Sequence, residues 1–412
     1  MMGVWIYRMA FWVCGVLVFL LVPWEAFPEE ITLLPQVEVS GGYDDNINYS
    51  KAGQKAGYVG SGKPGFMFSY GDELFTINSG GSVEFLRYFH DSNLNRENYR
   101  AFFDGSVKLT ERLNLRGNFS FVNDTTLDSQ LEETGIVSFR TGRKNYTGGG
   151  ELAYQITMLS NIGIAFNHQS TRYGSILNED FDNDSIRAFY DHTFNDGLDH
   201  FTVTPYYDYW NSDVSTVNNY GLSLGLSHSF SETFSIAANI GPRYTQTERK
   251  YSVPQFVFDP ETGTIRLVLK EMKAIDGNFG GTGSIEVKKE WLRSSVNGGY
   301  SHYLTYSSST GRDAEPINVD RFFCALSHRI TSRLRAAVSG SFYISESASS
   351  FGDQDRRYMT VSPSLNYEFN GNYALSLTYS HNRQLNKRVD SDPGSDRNRV
   401  WIQFTGRWPM KW

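Results

Sequence analysis

Hydrophobic and polar residues alternate along most of this chain. Leu113, Leu115, Gly117, Phe119 and Phe121 alternate with Asn114, Arg116, Asn118 and Ser120. Tyr220, Leu222, Leu224 and Leu226 alternate with Gly221, Ser223, Gly225 and Ser227, and Phe234 to Gly241 repeats the pattern. Leu334, Ala336, Val338, Gly340, Phe342 and Ile344 alternate with Arg335, Ala337, Ser339, Ser341 and Tyr343. Each run has one apolar face and one small or polar face. Each approaches the roughly 9–11 residues that a tilted membrane-spanning strand needs. At the end of the chain, Val400, Ile402, Phe404, Gly406, Trp408, Met410 and Trp412 form one apolar face. Pro409, which has no N–H to donate, predicts that pairing frays before Trp412.

Short polar breaks separate pairs of runs: Tyr70–Leu74, Thr110–Leu113, Leu159–Ile162, Asn195–Leu198, Ser231–Phe234, Glu290–Arg293, Thr331–Leu334 and Asn370–Tyr373. These predict tight hairpin turns. Longer polar connections are expected at 44–57, 91–97, 124–138, 173–183, 211–217, 248–275, 307–315, 346–355 and 387–397. Short turns at one end and long loops at the other predict an all-β fold, a transmembrane antiparallel up-and-down barrel of about 18 strands (16–18). Even parity puts both termini in the periplasm. The stretch 316–328 alternates poorly, since Phe322, Phe323, Cys324 and Ala325 are apolar in succession, and 139–156 gives no clear strand pattern.

The first residues read differently. Arg8 precedes an apolar run from Met9 to Val22. It is shorter than the ~20 residues of a spanning helix, and predicts a secretory signal over 1–26, with cleavage near Ala26. An uncleaved anchor is the alternative. A short lead over 27–35 and a barrel over 36–412 follow. Mean hydropathy is −0.41, and no later apolar run reaches helix-spanning length. The net charge of −7 gives no basic footprint for nucleic acid. Aromatic residues make up 15% of the chain, as interfacial girdles require. Cys324 is the only cysteine after the leader, so no internal disulfide is expected. A lone thiol in an exported protein is expected in a packed or lipid-facing place. The residues before Cys14 do not form a lipobox.

Two resemblances add to this reading. The terminal face Phe404, Gly406, Trp408, Met410 and Trp412 resembles the signal by which bacterial barrels are read by their insertion machinery. That signal usually has its glycine five residues before the final aromatic, and Gly406 stands six before. After the leader, Leu34-Pro35-Gln36-Val37-Glu38-Val39-Ser40-Gly41-Gly42-Tyr43-Asp44-Asp45-Asn46-Ile47 resembles the opening of the outer-membrane β-barrel porin type 2 families. Some of these look like barrels of exosortase and exopolysaccharide gene clusters. The resemblance implies an outer-membrane protein of a Gram-negative bacterium that passes solutes or exported polysaccharide. It implies no catalytic residues. The expected partners are outer-membrane lipid and lipopolysaccharide, the insertion machinery and separate periplasmic export components.

The polar faces project Glu84, Arg100, Asp104, Lys108, Arg116, Arg187, Asp191, Asp208, Arg243, Glu286, Lys288, Arg335 and Arg407 into the lumen. Eight are basic and five acidic, so the set predicts a modest preference for anions. The plainer reading is that opposite charges pair across neighbouring strands and brace the wall. The 248–275 connection reads as a hairpin around Asp259–Gly263. It predicts a constriction folded inward, an outward gate or receptor surface, or a plain extension of two strands. Asp180, Asp182, Asp184 and Asp191 have calcium-loop spacing, but Ser185 replaces the required glycine, and a solvated acidic loop is expected. Gly221-Leu222-Ser223-Leu224-Gly225 lies inside a strand and not at the strand-to-helix turn that a hydrolase elbow needs. No cofactor or metal site is expected. A channel is the leading reading, a non-conducting scaffold barrel the alternative, and an outer-membrane hydrolase the third.

Overall fold

The structure is a computed structural model that describes residues 30–135, 137, 140–194, 197–259, 264–307, 315–352, 354–387 and 394–412. The expected leader lies outside the described residues. Among these residues, nineteen strands and one short α-helix follow in order, with a single 3₁₀ turn at Ser92–Leu94 between the third and fourth strands. They are β1 (Glu30–Asp44), β2 (Gly57–Gly71), β3 (Phe75–Tyr88), β4 (Arg96–Lys108), β5 (Leu113–Thr125), α1 (Gln130–Thr134) and β6 (Gly142–Thr157). Next come β7 (Ser160–Tyr173), β8 (Phe181–Phe194), β9 (Asp199–Ser212), β10 (Ser215–Ser231), β11 (Phe234–Asp259), β12 (Thr264–Glu290) and β13 (Ser294–Ser307). The last are β14 (Glu315–Arg329), β15 (Leu334–Ser347), β16 (Asp355–Glu368), β17 (Tyr373–Asn386), β18 (Ser395–Arg407) and β19 (Met410–Lys411). β1 already includes part of the expected lead, from Glu30 onward.

Each strand pairs antiparallel with its chain neighbour, and β18 pairs with β1 to close an 18-strand barrel. The two-residue β19 continues β18 along β1. The expected turns fall between consecutive strands, except that 195–196 of the turn before β9 lie outside the described residues, and in several of them a side chain of the turn holds the backbone. Asp72 accepts from the Leu74 and Phe75 N–H groups (2.7 and 2.6 Å), and Asn370 accepts from Asn372 and Tyr373 (2.9 and 3.0 Å). Thr110 and Thr331 do the same for the residues that follow them. Such residues offer the backbone a local partner where the ladder stops.

Outward-facing aromatics gather in two bands. Phe230 and Phe234 (ring centroids 4.9 Å apart) and Tyr367 and Phe369 (5.1 Å) sit beside short turns. Tyr43 and Tyr58 (5.5 Å), Phe121 and Tyr146 (4.9 Å), and Tyr207 and Tyr220 (4.9 Å) lie higher. Ten residues of strand tilted by about 40° separate such bands by ~25 Å, the height of a lipid-facing belt. Leu224, Leu226 and Ile240 lie between the bands, exposed. Cys324 is exposed on the same outward parity as Phe322. A closed barrel with this exterior is a protein of the outer membrane of a Gram-negative cell.

Closure of the ring is reinforced at both ends. At the outer end Asp44, 1% exposed, takes three hydrogen bonds from Arg397, with Nε at 2.9 and 3.1 Å and Nη2 at 2.5 Å. Asp45 accepts from Asn398 N and Nδ2, both at 2.7 Å. Asn46 Nδ2 donates to the carbonyls of Ser50 and Asp396. The Tyr43–Ile47 motif is therefore a clasp between the first and last strands. At the inner end Trp408 lies over Gly406, where a Cβ would come 2.9 Å from the indole. Its ring stands edge-on to Tyr373 (6.3 Å), which in turn stacks on Phe404 (5.9 Å).

The expected fraying at Pro409 does not occur. Trp412 and Ile31 exchange both backbone hydrogen bonds (3.0 and 3.1 Å), and Met410 stays opposite Leu33. Antiparallel pairs alternate between bonded and non-bonded. Counted from the bonded Ile31–Trp412 pair, Pro409 falls on a non-bonded pair. Its missing N–H would point toward β17, whose ladder has already ended at Tyr373↔Gly406.

Two of the expected long connections are mostly strand, and for 248–275 this is one of the forms expected of it. Stretch 211–217 is the end of β9, the start of β10 and a two-residue connection. Stretch 248–275 is ladder: β11 and β12 stay in one register from Phe234↔Lys289 to Asp259↔Thr264. This hairpin lengthens two barrel strands and does not fold into the lumen. Its apex, 260–263, lies outside the described residues. β14 forms despite its apolar run, because Phe323 turns inward over Gly299, where a Cβ would sit 3.0 Å from the ring.

The wall is not uniform. β12 and β13 pair only from Glu290↔Ser295 to Gly283↔His302. Above that point β13 and β14 lean into the lumen. Tyr306 and Asn318 share the outward parity of His302 and Asp320, yet they meet inward residues of other strands. The Tyr306 hydroxyl is 2.9 and 2.6 Å from those of Ser212 and Ser215, and Arg243 donates to Asn318. The connection after β15 follows: Asn278 Nδ2 donates to Ala348 O (2.9 Å), and Ser350 N to Asp276 (2.7 Å).

Asp44→Ala should destabilise the barrel by about 3–5 kcal/mol, because it leaves the buried Arg397 charge unpaired. Lys273→Ala, at the exposed Lys273–Glu248 pair (2.7 Å), should leave stability unchanged. Urea midpoints of purified protein, read by the gel mobility of folded and unfolded forms, test this. Equal midpoints for the two variants would refute the clasp.

Candidate functional site in the barrel lumen

The register places all thirteen expected lumen residues on the parity that also carries the cavity-lining side chains. They do not converge on one point. Glu84 and Arg100 share a cavity of about 210 Å³ with Glu38, Lys63, Asn98 and Gln403. Arg187 and Asp208 share a larger one, about 540 Å³. Asp104, Lys108, Arg116, Asp191, Glu286, Lys288, Arg335 and Arg407 are spread along the wall. Arg243 is 3% exposed and acts as a bolt between wall layers: Nη1 donates to Thr245 (2.6 Å), Nε to Gly281 O (3.2 Å), and Nη2 to Asn318.

Several interior charges are paired. Lys63 is 3.2 Å from Glu38, Lys288 2.9 Å from Glu290, Arg116 3.8 Å from Glu151, and Arg187 4.0 Å from Asp208. Glu38 and Lys63 carry the same dyad signal as the expected set, whereas Glu151 lies in the stretch without clear alternation and is placed inward only by its register opposite Arg116. Arg100, Lys108, Arg335 and Arg407 are interior cations outside those pairs. The acidic run is not a cation cage. Asp182 bonds Arg172 (2.7 Å) and Asp184 bonds His168 (2.7 Å) on the outward face, while the odd-numbered Asp191 points inward.

The outer mouth is occupied by the connection between β5 and β6. α1 is a single turn and ends on Gly135, whose φ is 70°. A Cβ there would be strained by that φ and would also come 2.9 Å from Tyr343 Cβ. Leu127, Leu131 and Val137 pack with Tyr49, Ile317, Val319, Tyr343 and Tyr358 in one buried cluster. Ile317 and Val319 are wholly buried, and each contributes about 1.5–3 kcal/mol by leaving water. Ion pairs fix the plug from the side. Arg143 donates to both Glu133 oxygens (2.7 and 2.9 Å) and lies 3.5 Å from Asp124. Arg96 donates to both Asp128 oxygens (2.7 and 2.8 Å). Arg140 donates to Ile47 O (2.7 Å) and to the Tyr88 hydroxyl (3.1 Å).

Burial would raise the Asp128 carboxyl, but Arg96 and the Thr125 hydroxyl outweigh it and hold it below its ordinary range. Burial pushes the Tyr49 hydroxyl up and the Arg140 guanidinium down. None of these plug residues was in the expected lumen set. Their partners lie in a loop, where the alternation that marks strands gives no direction.

Beneath the plug lies the larger cavity. α1 contributes Gln130 and Glu133; the β6–β9 wall contributes Arg143, Asn167, Gln169, Asn183, Ser185, Arg187, Asp208 and Trp210; and the inturned β13 contributes Leu304, Thr305 and Tyr306. The Arg187 side chain is 59% exposed and meets whatever fills the space. Asp208 is 7% exposed and is held by Asn219 Nδ2 (3.0 Å). The arrangement offers charge, amides and hydroxyls to a small polar molecule.

No protein-family model matches the chain, and no curated protein matches it. Solved structures to which it is similar include Pseudomonas aeruginosa OccK2 (OpdF), at 10% identity and a TM-score of 0.49, covering 93% of this chain and 99% of that one. Acinetobacter baumannii OccAB3 gives 9% and 0.47, covering 93% and 100%. The outer membrane protein opdK from Pseudomonas aeruginosa gives 9% and 0.45, covering 91% and 99%.

The depressed Asp128 value sets a pH window for the plug. The Arg96–Asp128 contact stabilises it fully above the ordinary carboxylate value near ~3.9 and is lost as pH falls through the lower folded value. Amide exchange of α1, corrected for intrinsic rates, should be flat from about pH 7 to 5 and rise only below about 4. Asp128→Asn should speed it ~10–100-fold at neutral pH, the equivalent of one charged hydrogen bond of about 1.5–3 kcal/mol. A rise between pH 7 and 5, or an unchanged variant, counts against this account.

Proposed function

We propose that the barrel is a channel for small polar solutes with a preference for anions. The observation that carries the reading is the 540 Å³ polar cavity inside the wall, with the exposed Arg187 facing it and the α1 plug above it. Arg100, Lys108, Arg335 and Arg407 add cations along the interior, and rings of such residues favour anions. A polysaccharide chain would have to displace α1 and its cluster, whereas a small solute needs only side-chain motion around the cavity. The packed mouth supports one second reading, a barrel that does not conduct and serves as a scaffold for export components.

Single-channel recording in planar bilayers separates the two. The channel predicts discrete conductance steps and a reversal potential on the anion side. Arg187→Glu should lower the anion-to-cation permeability ratio at least about twofold, since it reverses the exposed charge at the cavity. An absence of steps favours the scaffold, and cation selectivity would sink the anion preference.

A further inference from the structure

The barrel wall has an interruption at lipid depth. The β12–β13 ladder ends at Gly283↔His302, although β11–β12 and β13–β14 remain paired well beyond it. At ~3.3 Å per residue and a tilt of about 40°, Gly283 stands roughly 20 Å above the periplasmic turn, within a belt about 25 Å tall. Residues 274–282 of β12 carry no strand partner on the β13 side among the described residues. Backbone in that position is tolerated in a membrane only where it is buried in protein or lines a cavity.

Three features describe the gap. Its β12 rim is bare: Gly281 and Gly283 share the outward parity of Phe279, and a Cβ at Gly281 would meet nothing nearer than Gly241 O at 3.7 Å. Its other rim holds a polar cluster on the outward face. The Tyr300 hydroxyl donates to Asp320 (2.5 Å), and His302 Nδ1 lies 2.8 Å from the same oxygen. Ionisable groups at membrane depth are costly and pair with one another, as the outward His168 and Asp184 also do; this cluster stands directly at the gap. Behind the gap, the inturned Leu304, Thr305 and Tyr306 form one wall of the 540 Å³ cavity. Beside the gap stand this strand segment and, bonded to Asn278 and Asp276 higher on β12, residues Ala348 and Ser350; at the level of Gly281, Arg243 bolts Asn318 of the neighbouring strand in place.

We propose that the gap between β12 and β13 is a lateral portal, through which an amphipathic molecule with an anionic head and an acyl chain passes between the cavity and the outer leaflet. The head meets Arg187 and the amides of Asn167 and Asn183. The chain lies along Leu304 and leaves past Gly281, where no side chain obstructs it. The Tyr300–Asp320–His302 cluster offers the head a polar step at the rim. The portal does not depend on axial conduction, so the two readings fail separately.

Photolabelling of the full-length protein in liposomes with a diazirine-bearing palmitate tests the proposal. Label is expected on Leu304–Tyr306 as well as on the lipid-facing Phe279 and Ile285. Gly281→Trp fills the gap, and should cut the label inside the cavity at least fivefold while leaving the outer label and any conductance unchanged. Arg243→Ala removes the bolt and should raise the inside label at least threefold. Label confined to the outer face of the wild type would overturn the portal, as would inside label unaffected by Gly281→Trp. So would a co-purifying polypeptide that protects the amides of 274–282 while the cavity stays unlabelled, since that would assign the edge to strand addition.

Discussion

Everything in this molecule depends on the pairing of its first strand with its last. In lipid, an unpaired strand edge has no water to satisfy it, so none of the other ladders is secure until β1 meets β18. The chain strengthens that junction beyond its ladder. Asp44 and Arg397 are a buried pair separated by most of the sequence, and the Trp408–Tyr373–Phe404 stack covers the opposite end. A buried pair of this kind adds little net stability over an apolar substitute. What it adds is register: a slip of one residue would turn every side chain of β1 to the wrong face.

The two ends of the barrel obey different physics. Near the periplasmic turns the interior is wet, and the charges of Arg116, Lys288 and Glu290 are half exposed or more. Near the outer mouth the interior is packed like a soluble core, with Ile317, Val319, Tyr343 and Tyr358 against α1. The inturned β13 and β14 make that possible, since they bring a second layer of sheet within reach of the loop. Arg143 joins the two regimes: it holds α1 through Glu133 and also borders the cavity below.

Much of this fold is legible from the amino-acid order because a membrane wall enforces a strict dyad. The turns were legible for a related reason: Asp72, Thr110, Thr331 and Asn370 are residues that bond their own backbone. What the pattern misjudged was polarity without geometry. Stretch 211–217 is polar, yet it is two strand ends and a two-residue turn, whereas the hairpin read at 248–275 takes the plainest of its expected forms, an extension of two strands. Pro409 misled because its effect depends on which side of the ladder its N–H faces, which only the register decides. The candidate site was half legible. Parity placed Arg187 and Asp208 on one face, but Arg243 touching Asn318 requires β14 to fold inside the wall, and no local pattern encodes that.

The β11–β12 ribbon carries one more consequence. Beyond Arg249, the last β11 residue paired with β10, ten residues remain to Asp259, so the ribbon runs roughly 33 Å past its neighbours at ~3.3 Å per residue, a height of about 25 Å if it keeps the barrel's tilt of about 40°. It carries Phe256, Phe258, Ile265, Leu267 and Leu269 outward near its tip, each more than half exposed. Like a mast, it sets the height at which the cell betrays this protein to its surroundings. Any surface layer shallower than that height leaves these apolar side chains standing clear of it.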